Sequence, residues 1–107
     1  MTFEIILAPE AVKSLRKLRA HVRTAVRDAI EVHLRQEPTR VSKSRIKRLR
    51  GLSQPQFRLR VGDIRVFYDV TETAVEVLAI IEKAEAQAWL DEEGTPRPGG
   101  RPRSSER

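Results

Sequence analysis

With 107 residues, of which 39% are hydrophobic, the chain is long enough for one domain with a single core and too short for two ordinary domains. It holds 21 lysines and arginines against 15 aspartates and glutamates, and the net charge of +6 favours a polyanionic or acidic partner. The absence of cysteine excludes disulfides, zinc–thiolate sites and thiol nucleophiles, and no apolar run reaches the roughly 18 residues that span a bilayer. We therefore expect a soluble, cytoplasmic protein with no membrane partner.

The first 38 residues predict one strand and two helices. Residues 2–8 form a β-rich apolar run that ends before Pro9, a residue suited to the first turn of a helix. Two amphipathic patterns follow, over 9–18 and 21–37, with apolar residues at three- and four-residue spacing, and Pro38 ends the second. The stripe of the second helix consists of Val22, Val26, Ala29, Ile30, His33 and Leu34. The short link between the patterns predicts a helical hairpin.

Residues 39–53 form a basic connector without hydrophobic periodicity. Its cations are Arg40, Lys43, Arg45, Lys47, Arg48 and Arg50. Residues 40–65 together hold nine lysines or arginines and one acid, Asp63, so this quarter of the chain carries all of the excess positive charge. Such a concentration is consistent with an electrostatic surface for nucleic acid, and the alternative is a solvated basic loop.

Residues 57–70 predict a β-hairpin with a two-residue turn at Gly62 and Asp63. This turn pairs Val61 with Ile64 and Arg60 with Arg65, which leaves one face apolar. The opposite, exposed face carries Arg58, Arg60, Arg65 and Phe67. Like charges that face each other across strands cost about 0.2 to 1 kcal/mol. Because guanidinium groups bind phosphate bidentately, a bound phosphate is the expected reason for the cluster.

The rest of the chain predicts a strand over 74–81, a closing helix over 84–92 and a disordered tail over 94–107 that is rich in proline, glycine, serine and arginine. The resulting order, β-α-α-β-β-β-α, predicts an α+β fold with a small, mostly antiparallel sheet. The helical hairpin packs on one face of this sheet, and the other face is left open. Residues 1–93 then form a single domain.

Most catalytic motifs are missing from the sequence. Metal-ligand spacing, a glycine-rich phosphate loop and a nucleophile–base–acid arrangement are not present, so we expect no cofactor and no metal. Any chemistry then depends on arginine and lysine. His33, Tyr68 and Trp89 fit packing positions better than catalytic or base-stacking ones.

The order of elements and the segment IKRLRGLSQPQFRLRVGDIRVFYDV, residues 46–70, resemble the RelE/ParE superfamily of bacterial toxins from type II toxin–antitoxin modules. The most specific part is 58–68, and Pro9, Ala11, Leu15 and Leu18 form a pattern typical of the first helix of the family. The resemblance implies a RelE-like endoribonuclease that enters the ribosomal A site and cleaves mRNA, with the 2′-hydroxyl as nucleophile and basic side chains on the phosphate. It also implies a cognate RelB-like antitoxin with an acidic amphipathic segment, which we expect across the helical hairpin or the open sheet face.

The resemblance assigns roles to individual residues. Arg58 matches a basic position on the first strand of the hairpin, and Arg65 matches the arginine that contacts the scissile phosphate. Lys83 is the basic residue nearest to a further family arginine after the last strand, so Arg58, Arg65 and Lys83 are the expected catalytic residues. The expected nucleic-acid-binding residues are Lys43, Arg45, Lys47, Arg48, Arg50 and Arg60.

Gln56 stands where such nucleases often have a lysine that is thought to act as base, so the general base is not identified. Glu82 and Glu85 are alternative proton acceptors, although solvated carboxylates at a helix start are the simpler interpretation. Two other functions therefore stay open beside the nuclease. One is a non-enzymatic ParE-type toxin that poisons DNA gyrase, and the other is a degenerate toxin kept as an antitoxin-binding partner.

Overall fold

The computed structural model of the protein describes residues 2–98 and contains seven strands, three α-helices and a π-helical turn in this range. The strands are β1 (Glu4–Leu7), β2 (Ile46–Arg48), β3 (Leu52–Gln54), β4 (Phe57–Val61), β5 (Ile64–Val70), β6 (Ala74–Glu82) and β7 (Thr95–Pro96). The helices are α1 (Pro9–Lys17), α2 (Ala20–Ala29) and α3 (Lys83–Glu93), and the π-helical turn Ile30–Leu34 continues α2. None of the helices within residues 2–98 is both long and apolar enough to cross a membrane.

Five strands form the main sheet, in the order β1-β6-β5-β4-β2. Only the β1–β6 pair in this sheet is parallel, and the other neighbours are antiparallel. The short strands β3 and β7 form a separate antiparallel ribbon. The expected α+β fold with a mostly antiparallel sheet is confirmed.

The β4–β5 hairpin has the register that its sequence predicts. Val61 pairs with Ile64 and Arg60 pairs with Arg65 across the two-residue turn. Gly62 has a φ of 57° in this turn, a left-handed conformation that glycine adopts without the steric cost of a side chain. The turn thereby determines which side chains share a face.

The core lies between the helical hairpin and one face of the sheet. Ala11 and Leu15 of α1 and Val26 of α2 are buried there. The sheet contributes Phe57, Leu59, Ile64, Val66, Tyr68, Val75, Val77 and Ile80 to the same cluster. Tyr68 is fully buried, and its hydroxyl donates a hydrogen bond of 2.6 Å to the carbonyl oxygen of Pro38. Burial also raises the pKa of this hydroxyl.

The second sheet face is covered, contrary to the expectation of an open face. Helix α3 packs on it, and the rings of Phe67 and Trp89 are stacked with centroids 5.1 Å apart. Phe67 is only 1% exposed as a result. Periodicity within β5 identifies a side chain as belonging to this face but does not reveal that a later helix returns to cover it.

Two other segments also differ from the expectation. The connector 39–53 contains β2 and the first two residues of β3, because pairing with distant strands compensates for its weak hydrophobic periodicity. The first residues of the expected tail are ordered, since Thr95–Pro96 pairs with β3. The remainder of that tail, 99–107, lies outside the described residues.

Candidate nucleic-acid interface

The pairing of β2 with β4 brings the basic connector onto the arginine-bearing face of the hairpin. Ile46 pairs with Leu59, and both side chains are buried in the core. Side chains alternate between the two faces of a strand, so the next pair, Lys47 and Arg58, points to the opposite face. A single buried isoleucine therefore determines where the cations of β2 lie.

Between β2 and α3 is a pocket of about 490 Å³, which we call the basic pocket. Its cations are Lys47, Arg48, Arg50, Arg58 and Arg65. Its other lining residues are Leu49, Phe67, Ala86, Gln87 and Leu90. The pocket combines a dense positive charge with an uncharged wall on α3, which suits a phosphate attached to a less polar group.

Arg58 is a cation of the pocket with a buried nitrogen, Nε, that the described residues leave without a hydrogen bond. Burial lowers the pKa of the Arg58 guanidinium, and the charges of Arg65 and Arg60 lower it further. A buried donor without a partner is costly, and a bound anion would satisfy both its hydrogen bond and its charge.

Arg65 is held in place by its own hairpin. Only 8% of the residue is exposed. Its Nη1 donates to the carbonyl oxygens of Gly62, at 2.9 Å, and Ile64, at 3.1 Å. The expectation of an exposed arginine is wrong here, because α3 and the turn bury it. Arg65 therefore lines the pocket with its guanidinium held in a fixed orientation by these two hydrogen bonds.

Arg48 and Arg50 lie at the rim of the pocket and are exposed. The guanidinium of Arg48 lies 5.1 Å from the centroid of the Phe57 ring, which is within cation–π range. This contact orients a long and otherwise flexible side chain at the end of β2.

The structure places four other predicted residues outside the pocket lining. Lys43, Arg45 and Arg60 are exposed, and the charge of Arg45 acts on His33 instead, where it and burial lower the pKa. Lys83, expected beside the catalytic arginines, lines a different hollow with Asp63 and Glu82 at the hairpin turn. The reason is that Lys83 begins α3, one helical turn before the residues that form the pocket wall.

Gln56 has a structural role that its sequence position does not reveal. Its Oε1 accepts a hydrogen bond from the Val70 backbone N–H at 2.9 Å, and its own N–H donates to Asp69 Oδ1 at 2.8 Å. Asp69 Oδ2 accepts another hydrogen bond from Gln54 Nε2 at 2.6 Å. The Asp69 carboxylate thus fastens the β3–β4 connection to β5, and Gln56 is not among the pocket-lining residues.

The candidate acids do not reach the basic pocket either. Glu82 and Glu85 are exposed and do not line it. Within residues 2–98, no three histidine, aspartate or glutamate side chains are grouped as a metal site requires. The pocket lining therefore consists of cations, apolar side chains and the amide of Gln87.

Sequence reasoning missed the residues that α3 contributes to the pocket. Ala86, Gln87 and Leu90 have the i, i+1, i+4 spacing of a single helix face. This spacing is visible in the sequence and indicates that the three residues lie on one side of the closing helix and contact the same neighbour. It did not identify the sheet face that this surface meets.

Comparison with protein families gives a match over most of the chain. The family described as ParE toxin of type II toxin-antitoxin system, parDE, matches residues 5–87. This range includes both helices of the hairpin, the main sheet apart from the first residue of β1, and part of α3. No curated protein sequence matches the chain.

Solved structures with this fold include toxins and toxin–antitoxin complexes. A double arginine-to-alanine mutant of the E. coli toxin RelE in the free state is 27% identical, with a TM-score of 0.64, and the match covers 86% of this chain and 94% of that one. The toxin–antitoxin complex RelBE2 from Mycobacterium tuberculosis is 26% identical, with a TM-score of 0.61, and the match covers 77% of this chain and 99% of that one. The archaeal RelE–RelB complex from Pyrococcus horikoshii is 24% identical, with a TM-score of 0.64, and the match covers 78% of this chain and 97% of that one. At this identity it supports the fold alone.

Proposed function

Since the chain belongs to the ParE toxin family of type II toxin–antitoxin systems, within the RelE/ParE superfamily, we propose that it inhibits translation as a RelE-like, ribosome-dependent mRNA endoribonuclease. The basic pocket is its active site. The observation that carries this proposal is the Arg58 guanidinium, which lines the pocket while its buried Nε lacks a partner. Its unsatisfied donor and its repulsion by neighbouring cations are both relieved when a phosphate binds.

Arg58 and Arg65 both bind the scissile phosphate, but they have different roles. Arg65 is already oriented by the Gly62 and Ile64 carbonyls, so it meets the phosphate without reorganisation. Arg58 supplies the free donor. As the 2′-oxygen bonds to phosphorus and the bond to the 5′-oxygen breaks, the negative charge that accumulates on the phosphate oxygens is stabilised by the two guanidinium groups.

Lys47 is the proton donor of the pocket. It is the one lining side chain whose chemistry allows it to act as a general acid, because guanidinium does not deprotonate and the other lining side chains are not ionisable. It pairs across strands with Arg58, so a phosphate on Arg58 lies within reach of its amine. Lys47 protonates the leaving 5′-oxygen, while water accepts the proton of the 2′-hydroxyl.

Cleavage of mRNA on programmed ribosomes tests the proposal. We expect cleavage at the A site, with a rate lowered about 10²- to 10³-fold by Arg58→Ala, the usual effect of removing one transition-state donor. Lys47→Arg keeps the positive charge, but a guanidinium does not release a proton to the leaving oxygen, so this variant should slow the chemical step while RNA affinity is retained. Lys43→Arg is the matched control, because Lys43 is exposed and outside the pocket. Wild-type cleavage no faster than that of Arg58→Ala would contradict the nuclease.

The second candidate is a ParE-type toxin that inhibits DNA gyrase without catalysis. The family match and the lack of a carboxylate or histidine in the described pocket lining favour it. A supercoiling assay separates the two functions, since inhibition of gyrase without cleavage of mRNA would support this reading. Growth without arrest on induction would instead support a degenerate toxin that only binds its antitoxin.

The partner of the chain is an antitoxin, and we propose the helical hairpin as the docking surface for its acidic, amphipathic segment. A hollow of about 480 Å³ there has an apolar floor that includes Leu7 and Leu15, with Arg16 and Arg27 at its rim. The alternative site, an open sheet face, is covered by α3. Arg16→Glu with Arg27→Glu should weaken the complex with an antitoxin co-expressed from the same module, and unchanged affinity would contradict this surface.

A further inference from the structure

Gln87 is the one neutral polar side chain among the described residues that line the basic pocket. It extends from α3, whereas the cations of the pocket come from β2, the turn after β2, and the β4–β5 hairpin. The pocket therefore has a cationic wall and, across from it, a wall of apolar side chains with a single amide. A nucleotide is divided in the same way, into a charged phosphate and an uncharged base that forms hydrogen bonds.

The wall on α3 offers a surface for the flat face of a base. Ala86 and Leu90 lie one helical turn apart, and both are partly buried and line the pocket. The pocket volume of about 490 Å³ falls in the range of about 300 to 1,000 Å³ that is usual for small-molecule sites. When a phosphate is bound by Arg58, the attached base is therefore expected against Leu90, beside the Gln87 amide.

The orientation of this amide is determined by Asp91. Gln87 Nε2 donates a hydrogen bond to Asp91 Oδ1 at 3.0 Å. An ionised carboxylate accepts hydrogen bonds and donates none, so the amide nitrogen, and not the oxygen, faces Asp91. Asp91 is not among the pocket-lining residues, and Gln87 Oε1 accepts no hydrogen bond from another residue within 2–98. The oxygen is therefore available as an acceptor for a ligand.

An acceptor held in one orientation distinguishes the bases by their ring substituents. Adenine has an amino group, which is a donor, at the position where guanine has a carbonyl oxygen, and the pyrimidine uracil also has a carbonyl oxygen, O4. Adenine can therefore donate to Gln87 Oε1. Guanine or uracil in the same orientation would place a second acceptor against it and leave both oxygens without a hydrogen bond.

We propose that Gln87 is a specificity-determining residue, which accepts a hydrogen bond from the exocyclic amino group of an adenine whose phosphate is bound by Arg58 and Arg65. Asp91 is the positioning residue that keeps the amide oxygen available to the base. This inference rests on the proposed action on RNA and adds the choice of base to it. The arginines supply affinity for any nucleotide, and the amide on α3 selects among them.

The test is binding of labelled pentanucleotides that are 2′-O-methylated, so that they cannot be cleaved. The strands are pentauridylate and the same strand with adenosine or purine riboside, which lacks the amino group, at the centre. Wild type should bind the adenosine strand about three- to tenfold more tightly than the purine strand, as one hydrogen bond provides. Gln87→Met should bind both strands equally and retain its affinity for pentauridylate. Gln36→Met, at an exposed position outside the pocket, is the matched control and should keep the preference.

A further variant tests the role of Asp91. Asp91→Ala frees the Gln87 amide to rotate, so its nitrogen can then donate to a carbonyl oxygen on the base. A strand with central inosine, which has that oxygen in place of the amino group, should bind wild type no more tightly than the purine strand does. In Asp91→Ala the inosine strand should gain affinity relative to the adenosine strand. An unchanged ratio would overturn the positioning role and leave the Gln87–Asp91 pair as a stabilising contact on the surface of α3.

The outcomes separate this inference from the proposed function. An adenosine preference that persists in Gln87→Met would overturn the inference. Equal binding of all strands by wild type, together with mRNA cleavage on ribosomes that depends on Arg58, would also overturn it and leave the nuclease intact. A wild-type protein that neither binds these strands nor cleaves mRNA on ribosomes would overturn both.

Discussion

Arg58 and Arg65 lie on the same face of the β4–β5 hairpin, but the protein provides hydrogen-bond acceptors for only one of them. Arg65 Nη1 donates to two backbone carbonyl oxygens, whereas Arg58 Nε is buried without a partner among the described residues. The first arginine therefore contributes to the fold as well as to the pocket. The second is retained at a cost to the fold, which is common for residues at functional sites.

This difference predicts opposite effects of two alanine substitutions on stability. Arg65→Ala removes hydrogen bonds from a charged donor and should lower the free energy of unfolding by about 1 to 3 kcal/mol. Arg58→Ala removes a desolvated, repelled charge and should leave that free energy unchanged or raise it. Urea unfolding measures both, and growth arrest on induction should be lost in both. Arg60→Ala, at an exposed position, is the control, and a loss of stability in Arg58→Ala equal to that in Arg65→Ala would refute the distinction.

The buried hydroxyl of Tyr68 should stabilise the fold through the Pro38 carbonyl. Tyr68→Phe leaves this buried acceptor without its donor and should cost about 1 to 3 kcal/mol in urea unfolding. The fluorescence of Trp89, the only tryptophan, reports the transition. RNA binding by the folded variant should be unchanged, because Tyr68 lies on the core face, opposite the basic pocket.

The same residue predicts a loss of stability at high pH. Burial raises the pKa of Tyr68 above that of the unfolded chain, which is about 10. Above that pH the unfolded chain releases the proton more readily, so the contribution of the neutral phenol is complete below about pH 10 and declines as the pH rises further. Wild type should lose stability more steeply than Tyr68→Phe in this range. Parallel curves for the two proteins would contradict the effect.

The charge of Arg45 should be measurable at His33. Burial lowers the pKa of this histidine first, and Arg45 lowers it further. Because the folded state disfavours the protonated ring, stability from this group is present above about pH 6.5 and declines as the pH falls through the lowered pKa. Arg45→Gln should raise the pKa of His33 in an NMR titration. Lys43→Gln is the control, and an unchanged pKa in Arg45→Gln would leave burial as the sole cause.

Trp89 should hold α3 against the sheet and thereby maintain the wall of the basic pocket. Trp89→Ala removes the stack on Phe67, whose aromatic contact contributes about 0.5 to 1.5 kcal/mol beyond burial. We expect faster amide exchange in residues 83–93 and weaker RNA binding. Trp89→Phe retains a stacking ring and should preserve both properties. Unchanged exchange in Trp89→Ala would show that the rest of α3 is sufficient for docking.

The sequence alone determined the features that depend on local geometry. Strict alternation over 57–70 and a Gly62-Asp63 turn give a single hairpin register, since a one-residue slip would turn the apolar set away from the core. The helix patterns identified α1 and α2 because apolar residues recur on one face of each. The family resemblance was likewise visible in a short contiguous segment.

Tertiary structure alone decided how the site is assembled. Three-residue strands such as β2 have too few positions to show a period, so the pairing of Lys47 with Arg58 emerges only from contacts between distant segments. The periodicity of β5 showed which face Arg65 occupies but not that α3 buries it. The sequence position of Gln56 indicated only a departure from a catalytic pattern, whereas its hydrogen bonds join it to Asp69 and Val70 of β5, which lie 13 and 14 positions later. A sequence pattern reports the face of an element, and only the packed structure specifies what meets that face.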